Sequence, residues 1–198
     1  MSKILEIDIT LQGTEPKVWR RVLVPADLTF RELHYAIQFS MGWTNSHLHQ
    51  FVVGQYDRCI GMILEDVFDD MEPEDGREVN ISELLAKPKD EIIYEYDFGD
   101  GWMHLIEVRK VLDPESGMKY PVLTDGAMAC PPEGCGGIGG YAELVEAMKN
   151  KRTKRYRELI EWLGEAFDPL EFDIAAINAA YFKDFKKEVK DWEQLANE

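Results

Sequence analysis

Residues 94–104, Tyr-Glu-Tyr-Asp-Phe-Gly-Asp-Gly-Trp-Met-His, constrain the fold more than any other stretch of the chain. Two aromatic arms, over 91–98 and 102–111, flank a Gly-Asp-Gly centre, which is the pattern of a β-hairpin. A loop at 99–101 pairs Phe98 with Trp102 and Tyr96 with His104. Because residues two apart share a strand face, one face then holds Ile92, Tyr94, Tyr96, Phe98, Trp102, His104, Ile106 and Val108. That face is almost purely apolar and aromatic, with His104 hydrogen-bonded inside it. A two-residue turn at Asp100-Gly101 pairs Asp97 with His104 instead, and a carboxylate then orients an imidazole for acid–base work or metal support. The first register gives the cleaner alternation and is preferred.

The segments before the hairpin supply its partners. Residues 3–12 and 17–24 alternate apolar and polar and read as strands. Thr29 with Glu32 makes a capping box, Phe30, Leu33, Ile37 and Met41 recur at helical spacing, and Gly42 closes the helix, so 30–41 is an amphipathic helix. Residues 47–56 form a strand and 81–85 a short helical turn. The order strand, strand, helix, strand, turn, strand is that of a β-grasp, or ubiquitin-like, core. The fold class expected is α+β: a mixed, mostly antiparallel sheet with C-terminal helices packed on it. One domain spans 1–198, with a sheet-forming core over 1–112 and a glycine- and cysteine-rich loop plus helices over 113–198. Those helices are expected at 141–149, 154–163 and 174–185, the last continuing towards Trp192.

Several constellations could carry chemistry. His47 and His49, one residue apart, share a face if both lie on a strand. With His104 or Asp97 they could hold a divalent metal such as zinc with an open position. Cys130 and Cys135 have zinc-like spacing, with Cys59 as a further thiol, but Pro131-Pro132 disfavours a zinc knuckle, and two buried thiols clamping a glycine loop is the simpler reading. Residues 134–139 match G-x-G-x-x-G ahead of a helix but lack a preceding strand, so a close packing turn explains the glycines better than nucleotide binding. The seven carboxylates of 65–76 break the order of a calcium loop and read as a solvated surface. Trp19, Arg20 and Arg21 alternate faces on a strand, a poor nucleic-acid platform. Residues 149–157 form a basic stretch for an acidic partner or for the chain's own acids. No nucleophile motif is present. A net charge of −16 opposes nucleic acid and anionic membranes. No apolar run nears a membrane span, and three cysteines in 198 residues suit a reducing compartment, so the expected location is cytoplasmic.

Val18-Trp19-Arg20-Arg21-Val22, Leu33-His34, Met41-Gly42-Trp43, residues 47–51, 96–104 and 130–137, and Phe167-Asp168-Pro169 together resemble the plasmid pRiA4b ORF-3-like family. Its members often appear as passengers of mobile elements, and some carry a resolvase-like label. The resemblance implies a domain identity but no reaction. The family pattern is Cys-Pro-Pro-Glu-Asp-Cys, and here Gly134 replaces the acid, which weakens a metal or catalytic role for that loop. A recombinase needs a Ser or Tyr nucleophile among arginines, which this chain lacks in recognisable form.

The leading expectation is a non-enzymatic module that binds a protein partner. Its candidate surface holds Trp19, Arg20, Asp97, Asp100, Trp102 and His104. The alternative is a metal-dependent enzyme using His47, His49 and His104, with Cys130 and Cys135 as further candidate ligands. DNA handling comes last.

Overall fold

The computed structural model describes residues 2–62 and 73–195. Most of the acidic run expected to be a solvated loop therefore lies outside the described residues. Among the described residues eight strands form one sheet: β1 (Ile4–Leu11), β2 (Trp19–Pro25), β3 (His49–Val53), β4 (Arg58–Gly61), β5 (Glu74–Asp75), β6 (Glu91–Tyr96), β7 (Trp102–Leu112) and β8 (Val122–Ala127). Their spatial order is β5-β4-β3-β6-β7-β1-β2-β8. Among the described residues every pairing is antiparallel except β4 with β5.

The α+β class and the mostly antiparallel sheet follow the expectation, but the β-grasp order does not appear. Both arms of the β6–β7 hairpin lie between β1 and β3, and β1 pairs with β7 antiparallel. The sheet also reaches beyond 1–112, because β8 joins the edge beside β2.

Helix α1 (Phe30–Met41) starts as its sequence directs. Glu32 N–H donates to the Thr29 hydroxyl at 3.2 Å, Thr29 N–H donates to the Glu32 carboxylate at 2.9 Å, and Gly42 takes the left-handed cap at φ 86°. Its burial differs from the amphipathic expectation: all nine residues from Leu33 to Met41 are buried. One side packs on the sheet, where Phe30 meets Phe51. The other is covered from the C-terminal part of the chain. Tyr181 stacks on Phe39 at 4.8 Å, and Trp192 meets both Phe39 and Tyr35 edge-on.

Helix α2 (Gly137–Met148) begins earlier than expected, at Gly137, and α3 (Lys154–Leu163) matches its expected bounds. The last expected helix is broken into α4 (Ile174–Ile177), a π turn (Asn178–Phe182) and α5 (Phe185–Leu195).

Candidate functional site

The hairpin adopts neither expected register. Tyr96 pairs with Trp102, Tyr94 with His104 and Ile92 with Ile106, leaving residues 97–101 as the loop. The loop is built by Asp97, which sits in the left-handed region at φ 55°. Its carboxylate accepts from the N–H groups of Gly99 at 3.0 Å and Asp100 at 3.3 Å, and Gly101 N–H closes on the Asp97 carbonyl. A short polar side chain that bonds its own backbone tolerates this geometry, and it lengthens the loop past the tight turns. Asp97 therefore does not oppose His104. The core face is otherwise as expected, except that Phe98 leaves the strand and is 51% exposed.

His104 is fully buried on that face. Its Nδ1 lies 3.1 Å from the Trp102 carbonyl and 3.3 Å from that of Tyr94. Two acceptors there require the proton on Nδ1. Nε2 is then a bare lone pair with no hydrogen-bond partner among the described residues, as is true of Trp102 Nε1–H. Burial lowers the His104 pKa to about 4, so the ring is neutral at pH 7.

His47 and His49 do not share a strand face. His49 opens β3 and is buried, whereas His47 precedes the strand and is exposed. His47 Nε2 stands 3.5 Å from the Asp97 carboxylate. His49 instead stacks on His34, with centroids 3.5 Å apart and planes within 7°. Burial, and then the Arg31 charge, bring the His49 pKa down to about 3. The expected His47–His49–His104 ligand set is thus not brought together. Among the described residues no group of three or more His, Cys, Asp or Glu side chains is arranged to hold a metal ion.

His34, which the sequence reading did not single out as a site residue, is the hub of the interior. Gln38 Nε2–H donates to the Tyr94 hydroxyl at 3.0 Å, and that hydroxyl donates to His34 Nδ1 at 2.8 Å. His34 Nε2–H donates to Asn45 Oδ1 at 2.8 Å, and Asn45 N–H returns to Gln38 Oε1 at 3.0 Å. Every member of this closed ring is neutral. Burial holds His34 well below the usual imidazole range and Tyr94 well above the usual phenol range. The available signal was the polar pair His34 and Gln38 at i, i+4 on a helix otherwise apolar at that face.

The loop before α2 closes over the same end of the sheet. Trp43 Nε1–H donates to the Pro131 carbonyl at 2.8 Å, and its ring stacks on Tyr96 at 4.8 Å. The Glu133 carboxylate accepts from the hydroxyls of Tyr96 and Thr44, and Ser46 N–H donates to the Tyr96 hydroxyl at 3.0 Å. Asp100 accepts from Gly136 N–H at 3.2 Å, so the chain's own carboxylate faces the start of α2. The glycines serve close approach: a Cβ on Gly137 would stand 2.6 Å from the Asp100 carbonyl oxygen, and one on Gly140 1.7 Å from that of Cys135. Burial raises the thiol pKa of Cys130, and brings that of Cys135 to about 12. Both are protonated at neutral pH and poor nucleophiles. Cys59 lies on β4, away from this loop in sequence, and is likewise a free thiol.

Segments 43–49, 94–104 and 130–137 thus meet at one end of the sheet, and a family profile for plasmid pRiA4b ORF-3-like proteins matches residues 3–176. The chain belongs to the plasmid pRiA4b ORF-3-like family. It is 36% identical over 195 residues to the uncharacterized protein y4hQ of Sinorhizobium fredii (strain NBRC 101917 / NGR234), covering 96% of this chain and 93% of that one. It also resembles the crystal structure of MM3350, a protein of unknown function from Methanosarcina mazei Go1. There the TM-score is 0.78 at 33% identity, over 89% of this chain and 98% of that one.

In this ORF-3-like protein Gly134, the departure from Cys-Pro-Pro-Glu-Asp-Cys, sits at φ 70° with open space where a Cβ would stand. An aspartate, among the few residues tolerant of that conformation, fits there as well. The other candidates, Trp19 and Arg20, face opposite ways. Trp19 is half-buried under Lys17 and Arg21, and Arg21 chelates Asp8 at 2.6 and 2.9 Å. Arg20 is buried, and its guanidinium donates to the carbonyls of Trp19, Ser40, Ala127 and Met128 at 2.8–2.9 Å. It ties β2 to α1 and to the end of β8, and offers no face to a ligand at the hairpin.

Proposed function

We propose that this ORF-3-like protein is a non-enzymatic protein-interaction module. Its contact surface is the hairpin loop together with the segment before β3. One observation carries the reading. Phe98 is 51% exposed and Leu48 38% exposed, on two segments locked together by Asp97 N–H donating to the Leu48 carbonyl at 2.9 Å. Large apolar side chains on a pre-organised loop lose little freedom on binding, which is what a partner-recognition surface requires. The groups suited to chemistry are otherwise occupied: three of the four histidines are buried, and Glu133 is held by its neighbours. The net charge of −16 supports a protein rather than a nucleic-acid partner.

A photo-reactive phenylalanine analogue at position 98, irradiated in the source cell, tests this directly. A discrete protein adduct that disappears in an L48D background is expected. No adduct, or turnover of a defined substrate, overturns it.

The metal-dependent reading has one observation in its favour, the contact between His47 and Asp97. Two donors fall short of the three protein ligands of a catalytic zinc site. Elemental analysis of untagged protein decides the matter, and stoichiometric metal would replace the module with an enzyme.

A further inference from the structure

A second surface shares no residue with the first. Cys130 lines a groove of about 390 Å³ whose apolar floor is Met41, Phe167, Phe172 and Ile177. The volume lies in the range of roughly 300–1,000 Å³ typical of binding clefts. It has room for one large side chain and the stems of two basic ones. Glu165, Asp168, Glu171 and Asp173 line the same groove, and all four are exposed. Asp168 and Asp173 each accept one local N–H, from Leu170 and Ala176 at 2.9 Å. None of the four takes part in an ion pair among the described residues.

The chain's own cations do not answer these acids. Arg20, in the wall of the groove, is 2% exposed, covered by Phe172 at 4.0 Å and committed to carbonyl oxygens. The basic stretch at 149–157 lies at the opposite end of α3 from Glu165. Arg157, the nearest of its cations, stands about 9 Å of helix before Leu163 and makes no ion pair with a groove carboxylate among the described residues. That stretch is also partly spent, since Lys149 pairs with Glu146 and Arg155 with Glu143.

We infer that this groove docks a basic segment of a partner protein, one apolar side chain entering the floor between two Lys or Arg residues that meet the carboxylate rim. An apolar floor with a single-sign rim selects an amphipathic cation. The charge of −16 attracts such a partner and repels a second copy of this chain.

The test uses a blocked peptide, Arg-Ala-Leu-Ala-Arg, titrated into the full chain by calorimetry. Saturable binding is expected in low salt, weakening about ten-fold in physiological salt and about ten-fold again in an E165Q/E171Q variant with unchanged thermal unfolding. The matching peptide with Glu at both ends is expected not to bind. Absence of saturable binding up to about 5 mM peptide, or equal affinity in the variant, overturns the proposal. So does a dimer in sedimentation that a K151E/R152E variant abolishes, because the occupant is then a second copy.

Discussion

Tyr94 and Tyr96 stand on one face of β6, their rings parallel and 6.5 Å apart, yet their hydroxyls live in opposite electrostatic regimes. Tyr94 bonds only neutral groups, Gln38 and His34, in the sealed interior. Tyr96, two residues nearer the loop, donates to the carboxylate of Glu133 at the sheet's end. An unpaired charge beside Tyr94 would bear the full cost of desolvation, whereas Glu133 also draws on Thr44 N–H and hydroxyl at the surface. Two residues of strand therefore separate a network sealed in the core from one that reaches the surface.

Acid challenges the interior side hardest. His34, His49 and His104 are all depressed by burial, the latter two to about 3 and about 4. In the unfolded chain each takes up a proton near pH 6.5, so the unfolded state binds more protons and stability falls as pH drops below that value. The loss continues until the folded pKa values are reached. Three such groups give a slope of up to about 4 kcal/mol per pH unit between pH 6 and 5, read from urea midpoints. A stability flat over that range would show that the histidines are not sealed.

Next in size is H34A, which removes a stacked ring and opens the polar circuit. It is expected to cost about 3–5 kcal/mol in chemical denaturation. The paired phenylalanine substitutions test the contrast itself. Y94F strands buried groups on Gln38 and His34 and is expected to cost about 2 kcal/mol, against about 1 kcal/mol or less for Y96F, whose former partners reach water. Equal costs would erase the distinction between the two hydroxyls. The smallest effect is spectroscopic. Burial raises the Tyr96 pKa first, and its bond to Glu133 and that carboxylate's charge raise it further. E133Q is expected to bring its ionisation down in a phenolate absorbance titration, and to lower that of Tyr94 less, because Tyr94 feels the Glu133 charge without bonding it.

How far the sequence foretold this contrast depends on the range of the interactions. Alternation along 91–108 placed Tyr94, Tyr96, Trp102 and His104 on one buried face, because side-chain period is a local property. The register escaped that logic. It turns on Asp97 folding its carboxylate back onto Gly99 and Asp100, and both tight-turn alternatives kept Asp97 in the strand. His47 and His49 failed as a pair because β3 starts at His49, a boundary set by pairing with Tyr96 across the sheet. The His34–Gln38–Asn45–Tyr94 ring joins residues from a helix, a loop and a strand, and no spacing in one segment announces it. Strand β8 was hidden because its residues, Val-Leu-Thr-Asp-Gly-Ala, alternate poorly and take their place from pairing with β2.

The two-sided burial of α1 also bears on synthesis. Phe39 is covered by Tyr181 and Trp192, which leave the ribosome about 140 or more residues later. At ~5–20 residues per second that is on the order of ten seconds with an aromatic ridge uncovered. From the emergence of β8 until Tyr181 and Trp192 follow, all eight strands are out of the ribosome while the outer side of α1 has no aromatic cover, which is the moment at which a chaperone has most to hold.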